Sequence, residues 1–278
     1  MCTVQLVKFE PTLYLAAIER FGISRLCVTP GTIYGLVNNL SMLKDGMATV
    51  ASNPERKFNI GSVKAILCGG TSIPLAKLKQ YMAYFGGASV IIAYGSIETT
   101  SLITACACQE VLLALPGVLY PNSSAMVIDE HGNETGGYGE LYISGPHVMS
   151  GHVGKGMRSP FVNGFYPTGD YAWVAANWTV SIRGMLVDVV DTKNSPIALT
   201  GIENMASEHL AVKDCAAIGV GPRDAAQVLL FVVLEPSIVS PKDINHWIQT
   251  RVEFDIECKE VQEIPKLSNG SIFRQFLK

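Results

Sequence analysis

IAYGSIETTSLIT, residues Ile92–Thr104, is the stretch whose reading decides the fold. Its first half continues an apolar run, ASVIIAYG, that reads as a buried strand. At Gly95 the chain turns polar and presents one carboxylate, Glu98, between Ile97 and two threonines. Upstream, PLAKLKQYMAYFG is an amphipathic helix with Pro near its first turn and Gly at its end. Before it, VKAILCGG (Val63–Gly70) reads as a strand running into a glycine turn. The pattern repeats further back. PTLYLAAIERFG (Pro11–Gly22) reads as a helix, SRLCVTP as a short strand stopped by Pro30, and TIYGLVNNLSML as a helix again. Strands alternating with helices predict an α/β architecture with at least partly parallel pairing.

Downstream of Ala125 the texture changes. AMVIDEHGNETGGYGELYISG reads as a β-meander, and Tyr171–Val190 alternates like strands. A second α/β set follows: a helix over Ile202–Leu210, strands in CAAIGVGP and VLLFVVLEP, and a helix in DINHWIQTRV. The expected division is 1–187 for the first unit and 188–278 for a small second one, in line with a length of 278 residues.

Composition narrows the classes. The chain is 48% hydrophobic and 16% charged, ample for a packed core. A net charge of -3 gives no footprint for nucleic acid. SLITACACQEVLLALPGVLYP, the most apolar stretch, is broken by Gln109, Glu110 and Pro116, so no run reaches the roughly 18 residues of a membrane span. MCTVQLVKFEPT lacks a signal-peptide pattern. Seven scattered cysteines suit a reducing compartment, and the Cys106/Cys108 CxC is no metal pair.

Several weak signals in one order carry a resemblance. IAYGSIETT is similar to the Gly-Tyr-Gly-x-Thr-Glu-Thr-Thr motif of the adenylate-forming (AMP-binding) enzymes, the superfamily of acyl-CoA synthetases and coumarate–CoA ligases. ILCGGTSIPLAKL resembles the family's adenine-side strand and turn. GELYISGPHVMSGHVG (Gly139–Gly154) resembles its Gly-Glu-Leu…Gly…Val-x-x-Gly-Tyr motif, and NGFYPTGDYAWV (Asn163–Val174) its Gly-Trp-Phe-x-Thr-Gly-Asp motif. GIENMASEHLAVKDCAAIGVGPRD resembles the lid, and EIPKLSNGSIFRQFLK stands where the closing Pro-Lys-x-x-x-Gly-Lys motif belongs. The resemblance implies the C-terminal part of the large adenylate-forming domain, an α/β sheet plus a β-rich subdomain, followed by a small α+β lid. It also implies activation of a small-molecule carboxylic acid through an acyl-adenylate, with ATP/AMP, Mg²⁺ and coenzyme A as cofactors.

By that resemblance Glu98 ligates the Mg²⁺ of Mg-ATP, as a hard oxygen donor; read singly, it is equally a loop or N-capping acid. Tyr94 stacks on adenine and Gly95 permits close backbone approach, while Gly69, Gly70 and Thr71 line the other adenine edge. Alone, Tyr94 is as well a half-buried strand-end tyrosine. Asp170 accepts the ribose hydroxyls, or is simply a turn Asp after Gly169. The five histidines carry no pattern and receive no role.

The departures remove groups that handle phosphate. The family's Ser/Thr/Gly-rich phosphate loop lies upstream of every quoted motif, so the chain is expected to be N-terminally truncated. A partner protein could supply that part. The hinge arginine falls on Met185, with Arg183 two residues away as a weak substitute; Asp188 keeps the hinge acid. The adenylation lysine falls on Ser271, whose hydroxyl carries no positive charge. Ile97 and Pro167 replace a Thr and an Arg. The resulting expectation is an impaired acyl-CoA ligase-like protein of a fungal-type secondary-metabolite pathway. A non-catalytic adenylate-binding or partner protein, and a fragment without independent activity, are the alternatives. The C-terminal FLK is no peroxisomal Ser-Lys-Leu address, so cytoplasm is the expected compartment, although family members occur in peroxisomes.

Overall fold

The structure is a computed structural model describing residues 3–37, 39–42, 46–70, 73, 75–86, 88–100, 102–107, 117–154, 160–192, 196–221, 227–235, 239–267 and 270–277. Helix α1 (Pro11–Phe21) begins where Glu10 accepts the backbone N–H groups of Thr12 and Leu13, and ends at Gly22 in the left-handed conformation (φ 55°). Strand β1 (Arg25–Val28) and helix α2 (Pro30–Val37) follow. Pro30, read from sequence as a strand stop, is also the first residue of α2, where its missing N–H costs nothing.

The helix read over TIYGLVNNLSML is only half correct. It closes after Val37, with the Asn39 amide donating to Gly35 O at 2.7 Å, and the rest becomes strand β2 (Leu40–Met42). β2 pairs with β3 (Met47–Val50), and β3 with β4 (Asn53–Asn59), in a small antiparallel sheet. The apolar spacing there fits a helix, but a cross-strand partner overrides it.

The main sheet has nine strands. Strands β5 (Ala65–Gly69) and β6 (Ser89–Gly95) flank helix α3 (Leu75–Tyr84); β7 (Leu102–Ala107), β8 (Gly117–Leu119), β9 (Ser124–Ile128), β10 (Gly139–Ser144), β11 (Tyr166–Val174) and β12 (Thr179–Met185) complete it. The order is β1-β5-β6-β7-β8-β12-β11-β10-β9. β1, β5 and β6 run parallel and every later pairing is antiparallel. The sheet is therefore mixed, as the alternation followed by a meander predicts. One core gathers under the parallel strands around Leu15, Ile33, Ile66 and Tyr81; a second lies in the meander around Ile103, Leu141 and Ile143.

After a 3₁₀ turn at Leu186–Asp188 come the short pair β13 (Val189–Asp191) and β14 (Pro196–Ala198) and helix α4 (Leu199–Ala206). A three-stranded sheet follows, of β15 (Val212–Val220), β16 (Gln227–Leu234) and β17 (Ile256–Glu260), with helix α5 (Pro241–Gln249) between the last two. α5 opens with a capping box in which Ser240 and Asp243 satisfy each other's backbone N–H. A third core, around Ile202, Leu230 and Ile248, lies among these elements. No helix among the described residues is long and apolar enough to cross a membrane.

Candidate functional site

The three parallel strands end side by side at Val28, Gly69 and Gly95. Ligands of open α/β sheets bind outside such carboxyl ends. Two of the glycines expected there have structural duties of their own. A Cβ on Gly69 would lie 2.8 Å from Ala93 O in the neighbouring strand, and Gly70 adopts φ +103°. Thr71 lies outside the described residues.

Beyond Gly95 the chain makes a tight loop. The buried Thr99 hydroxyl accepts the Ser96 N–H and donates to Ser96 O, both at 2.9 Å, which closes the loop on itself. This geometry leaves Glu98 part-exposed and Ile97 93% exposed. The Glu98 carbonyl accepts Met149 N–H at 2.7 Å, tying the loop to the segment after β10. The Glu98 carboxyl is held below its ordinary range, first by its own backbone N–H, with His152 adding its field. The loop thus presents an ionised, reachable carboxylate, suited to a hard divalent cation that brings its own waters and phosphates. Among the described residues no cluster of three or more His, Cys, Asp or Glu side chains could hold a metal by itself.

Tyr94 and Asp170, 76 positions apart, meet directly: the phenol donates to Asp170 Oδ2 at 2.5 Å. Gly169 (φ +73°) turns β11 so that its N–H reaches Glu140 Oε1 at 3.2 Å, while Asp170 N–H donates to the Thr168 hydroxyl. Burial and then the Glu140 charge raise the Asp170 pKa, against the donation from Tyr94. Burial first, and then the Asp170 charge, raise the Tyr94 pKa, so its hydroxyl stays a donor. Tyr166, four residues before Asp170, feels both Glu98 and Asp170. Neither Tyr166 nor His152 received a role from the sequence. The signal lay in position alone, since each sits inside a motif quoted for other residues.

Arg183 is drawn elsewhere. β11 and β12 slip register, with Tyr171 opposite Gly184 and Ala172 opposite Ile182, so Arg183 falls in the bulge. Its guanidinium donates to Tyr138 Oη at 2.9 Å, and Tyr138 stacks on Tyr171.

Ser271 lies in a hairpin turn: Lys266 bridges Ile272, and Leu267 N–H donates to Ser271 O at 2.8 Å. The turn rests on the start of α2, where a Cβ on Gly270 would lie 2.4 Å from Gly31 N. Thr29, just before α2, borders the Gly70 turn, so the Ser271 turn and the strand ends share one edge of the main sheet. Both nearby cations are engaged. Lys266 pairs with Asp214 and lies 3.8 Å from the Tyr34 ring centre. Arg274 Nη2 meets Glu203 Oε1 at 2.8 Å, and its Nε lies 3.4 Å from Asp188 Oδ1.

The profile of a family described as AMP-binding enzyme matches residues 2–153. A probable CoA ligase (CCL5) of Humulus lupulus is 23% identical over 99% of this chain and 50% of its own length. The acyl-CoA ligase cm3C of Cordyceps militaris is 22% identical over 98% of this chain and 44% of its own. Among solved structures, ATP-bound MatB of Rhodopseudomonas palustris superposes with a TM-score of 0.80 at 23% identity, over 98% of this chain and 53% of that one. The chain spans about half the length of the curated relatives it matches.

Proposed function

The chain belongs to the AMP-binding enzyme family, and on that premise we propose that it is an acyl-CoA ligase-like protein that holds an adenine nucleotide at Tyr94, Asp170 and Glu98. The observation that carries this is the meeting of two motifs beside the carboxyl ends of parallel strands: Tyr94 bonds Asp170, and Tyr166 feels both Asp170 and Glu98. The Tyr94 ring offers a flat apolar face for adenine. Asp170 accepts hydroxyls in charge-assisted hydrogen bonds. Glu98 is the oxygen ligand for the Mg²⁺ that accompanies a triphosphate; when bound, that ion neutralises charge on the phosphates. The overall reaction read for such a protein is attack of a carboxylate on the α-phosphate with release of pyrophosphate, then attack of the coenzyme A thiol on the acyl carbon of the adenylate with release of AMP.

The phosphate side is the weak side. At Ser271 a hydroxyl stands where the resemblance places a cation, and Lys266 and Arg274 are already paired. Losing one preorganised donor costs about 10²–10³ in rate. We therefore read adenylation as impaired, and adenylate binding without turnover as the second reading. A fungal-type secondary-metabolite setting is part of the same proposal. The exposed Leu13 and Phe21 on α1 support a partner protein covering that face. The division near Asp188 and a cytoplasmic compartment belong to the same reading.

The test is acid-dependent exchange of labelled pyrophosphate into ATP, with a panel of aryl and fatty acids and with Ser271→Lys in parallel. Exchange that is weak in the unmodified chain and rises about 10²-fold or more in the variant supports the impaired ligase. Silence in both folded proteins, together with measurable AMP binding, leaves the binding reading standing. Silence without any AMP binding defeats both.

A further inference from the structure

Tyr94 joins two environments: its ring packs in part against the core around Ile103 and Leu141, and its hydroxyl ends on Asp170 Oδ2 at 2.5 Å. That contact bridges β6 and β11, strands separated in the sheet by β7, β8 and β12. A carboxylate that reads hydroxyl groups must be ionised and correctly turned. Asp170 sits where both are in jeopardy. It is largely buried, Glu140 lies behind it with Oε1 on the adjacent Gly169 N–H, and Tyr166 is the other phenol within electrostatic reach.

We propose, building on the nucleotide-site reading above, that the Tyr94 hydroxyl is a positioning group that turns Asp170 toward the cis-diol of a ribonucleotide, separately from any role of the Tyr94 ring. A donor fixed on Oδ2 selects one carboxylate orientation and leaves Oδ1 for the ligand. It also offsets the unfavourable charge of Glu140, which favours the anion that a diol requires. One residue thus ties the base side of the site to the sugar side, and the chain discriminates ribonucleotides from deoxyribonucleotides through a residue that touches the sugar only by way of Asp170.

The experiment is calorimetric titration of the full chain with AMP and with 2′-deoxy-AMP. The proteins are the unmodified chain, Tyr94→Phe, Asp170→Asn and the double variant, with thermal unfolding of each as a check on folding. Phe keeps the ring and removes one oxygen. Tyr94→Phe is expected to weaken AMP binding about tenfold, the scale of one hydrogen bond to a charged group. It should weaken 2′-deoxy-AMP much less, so the preference for the ribonucleotide shrinks. In the D170N background the same change is expected to cost little, because the hydroxyl acts through the carboxylate. The pH at which AMP binding fails on acidification should also rise in Tyr94→Phe, since Asp170 loses a group that favours its anion. Unaltered AMP affinity and preference in Tyr94→Phe would overturn the inference while leaving the nucleotide site intact. An equal loss in both backgrounds would also overturn it, as the hydroxyl would then act on the ligand or the fold directly. Absence of AMP binding to the unmodified, folded chain would sink the nucleotide reading and this inference with it.

Discussion

Replacing Glu203 by Gln should stabilise the protein at neutral pH although it removes a salt-bridge partner. Glu203 is 4% exposed on α4. Its Oε1 accepts Ala217 N–H at 2.9 Å and Arg274 Nη2 at 2.8 Å. Even so, its pKa is pushed up from 4.5 to about 7, because desolvation outweighs the Arg274 charge and the Ala217 hydrogen bond, with Asp188 adding repulsion. An acid whose folded pKa lies above its unfolded value contributes most below the unfolded value. That contribution is lost as pH rises from 4.5 through 7. At about 1.4 kcal/mol for each tenfold in proton affinity, the loss is about 3 kcal/mol by pH 8. Glutamine mimics the protonated acid and does not titrate. Urea unfolding of both proteins from pH 4.5 to 8 should therefore give equal stabilities at the acid end and a gap of about 3 kcal/mol in favour of Glu203→Gln at the alkaline end. Removing one partner of a buried pair ordinarily destabilises by leaving the other charge unpaired, but here Arg274 keeps Asp188 at 3.4 Å as its counter-ion. If the variant instead loses stability relative to the parent as pH rises, the Arg274 attraction outweighs desolvation and the reasoning fails.

Other substitutions probe separate parts of the fold. Gly270→Ala forces φ +90° on a residue with a Cβ and drives that carbon to 2.4 Å from Gly31 N, so it should lower stability by about 1–3 kcal/mol. The C-terminal turn should then become protease-sensitive before the main sheet. Leu141→Ala, in a fully buried position of β10, should cost about 2–5 kcal/mol by chemical unfolding. Ser240→Ala breaks the capping box of α5 and should cost about 1 kcal/mol, read as faster amide exchange in that helix's first turn.

Much of the fold was legible in the sequence because its signals are local. Pro11 and Gly22 bracket α1, the apolar run at Ser89–Gly95 is a strand, and the turn-rich text after Ala125 is a meander. The reading failed where a distant partner decides. β2 carries helical spacing but pairs with β3, and β4, NPERKFN, has no strand-like text at all. Its alignment comes from β3 and from Glu19 on α1, whose carboxylate accepts Asn59 N–H and the Arg56 guanidinium.

The candidate site divides in the same way. Motif text alone pointed to Tyr94, Glu98 and Asp170, because a residue type at a fixed offset from a glycine turn is a one-dimensional property. It also exposed the neutral Ser271. Only the tertiary structure could put the Tyr94 hydroxyl on Asp170 across 76 residues, bring Tyr166 and His152 into the field of Glu98, and carry Arg183 off to Tyr138 through a bulge. It likewise tied Arg274 to both Asp188 and Glu203 and set the Gly270 turn on Gly31. The physical reason is common to all of these. Backbone preference acts over a few residues, whereas hydrogen bonds, charge and excluded volume act through space, and the register that brings such groups together is set by the sheet as a whole.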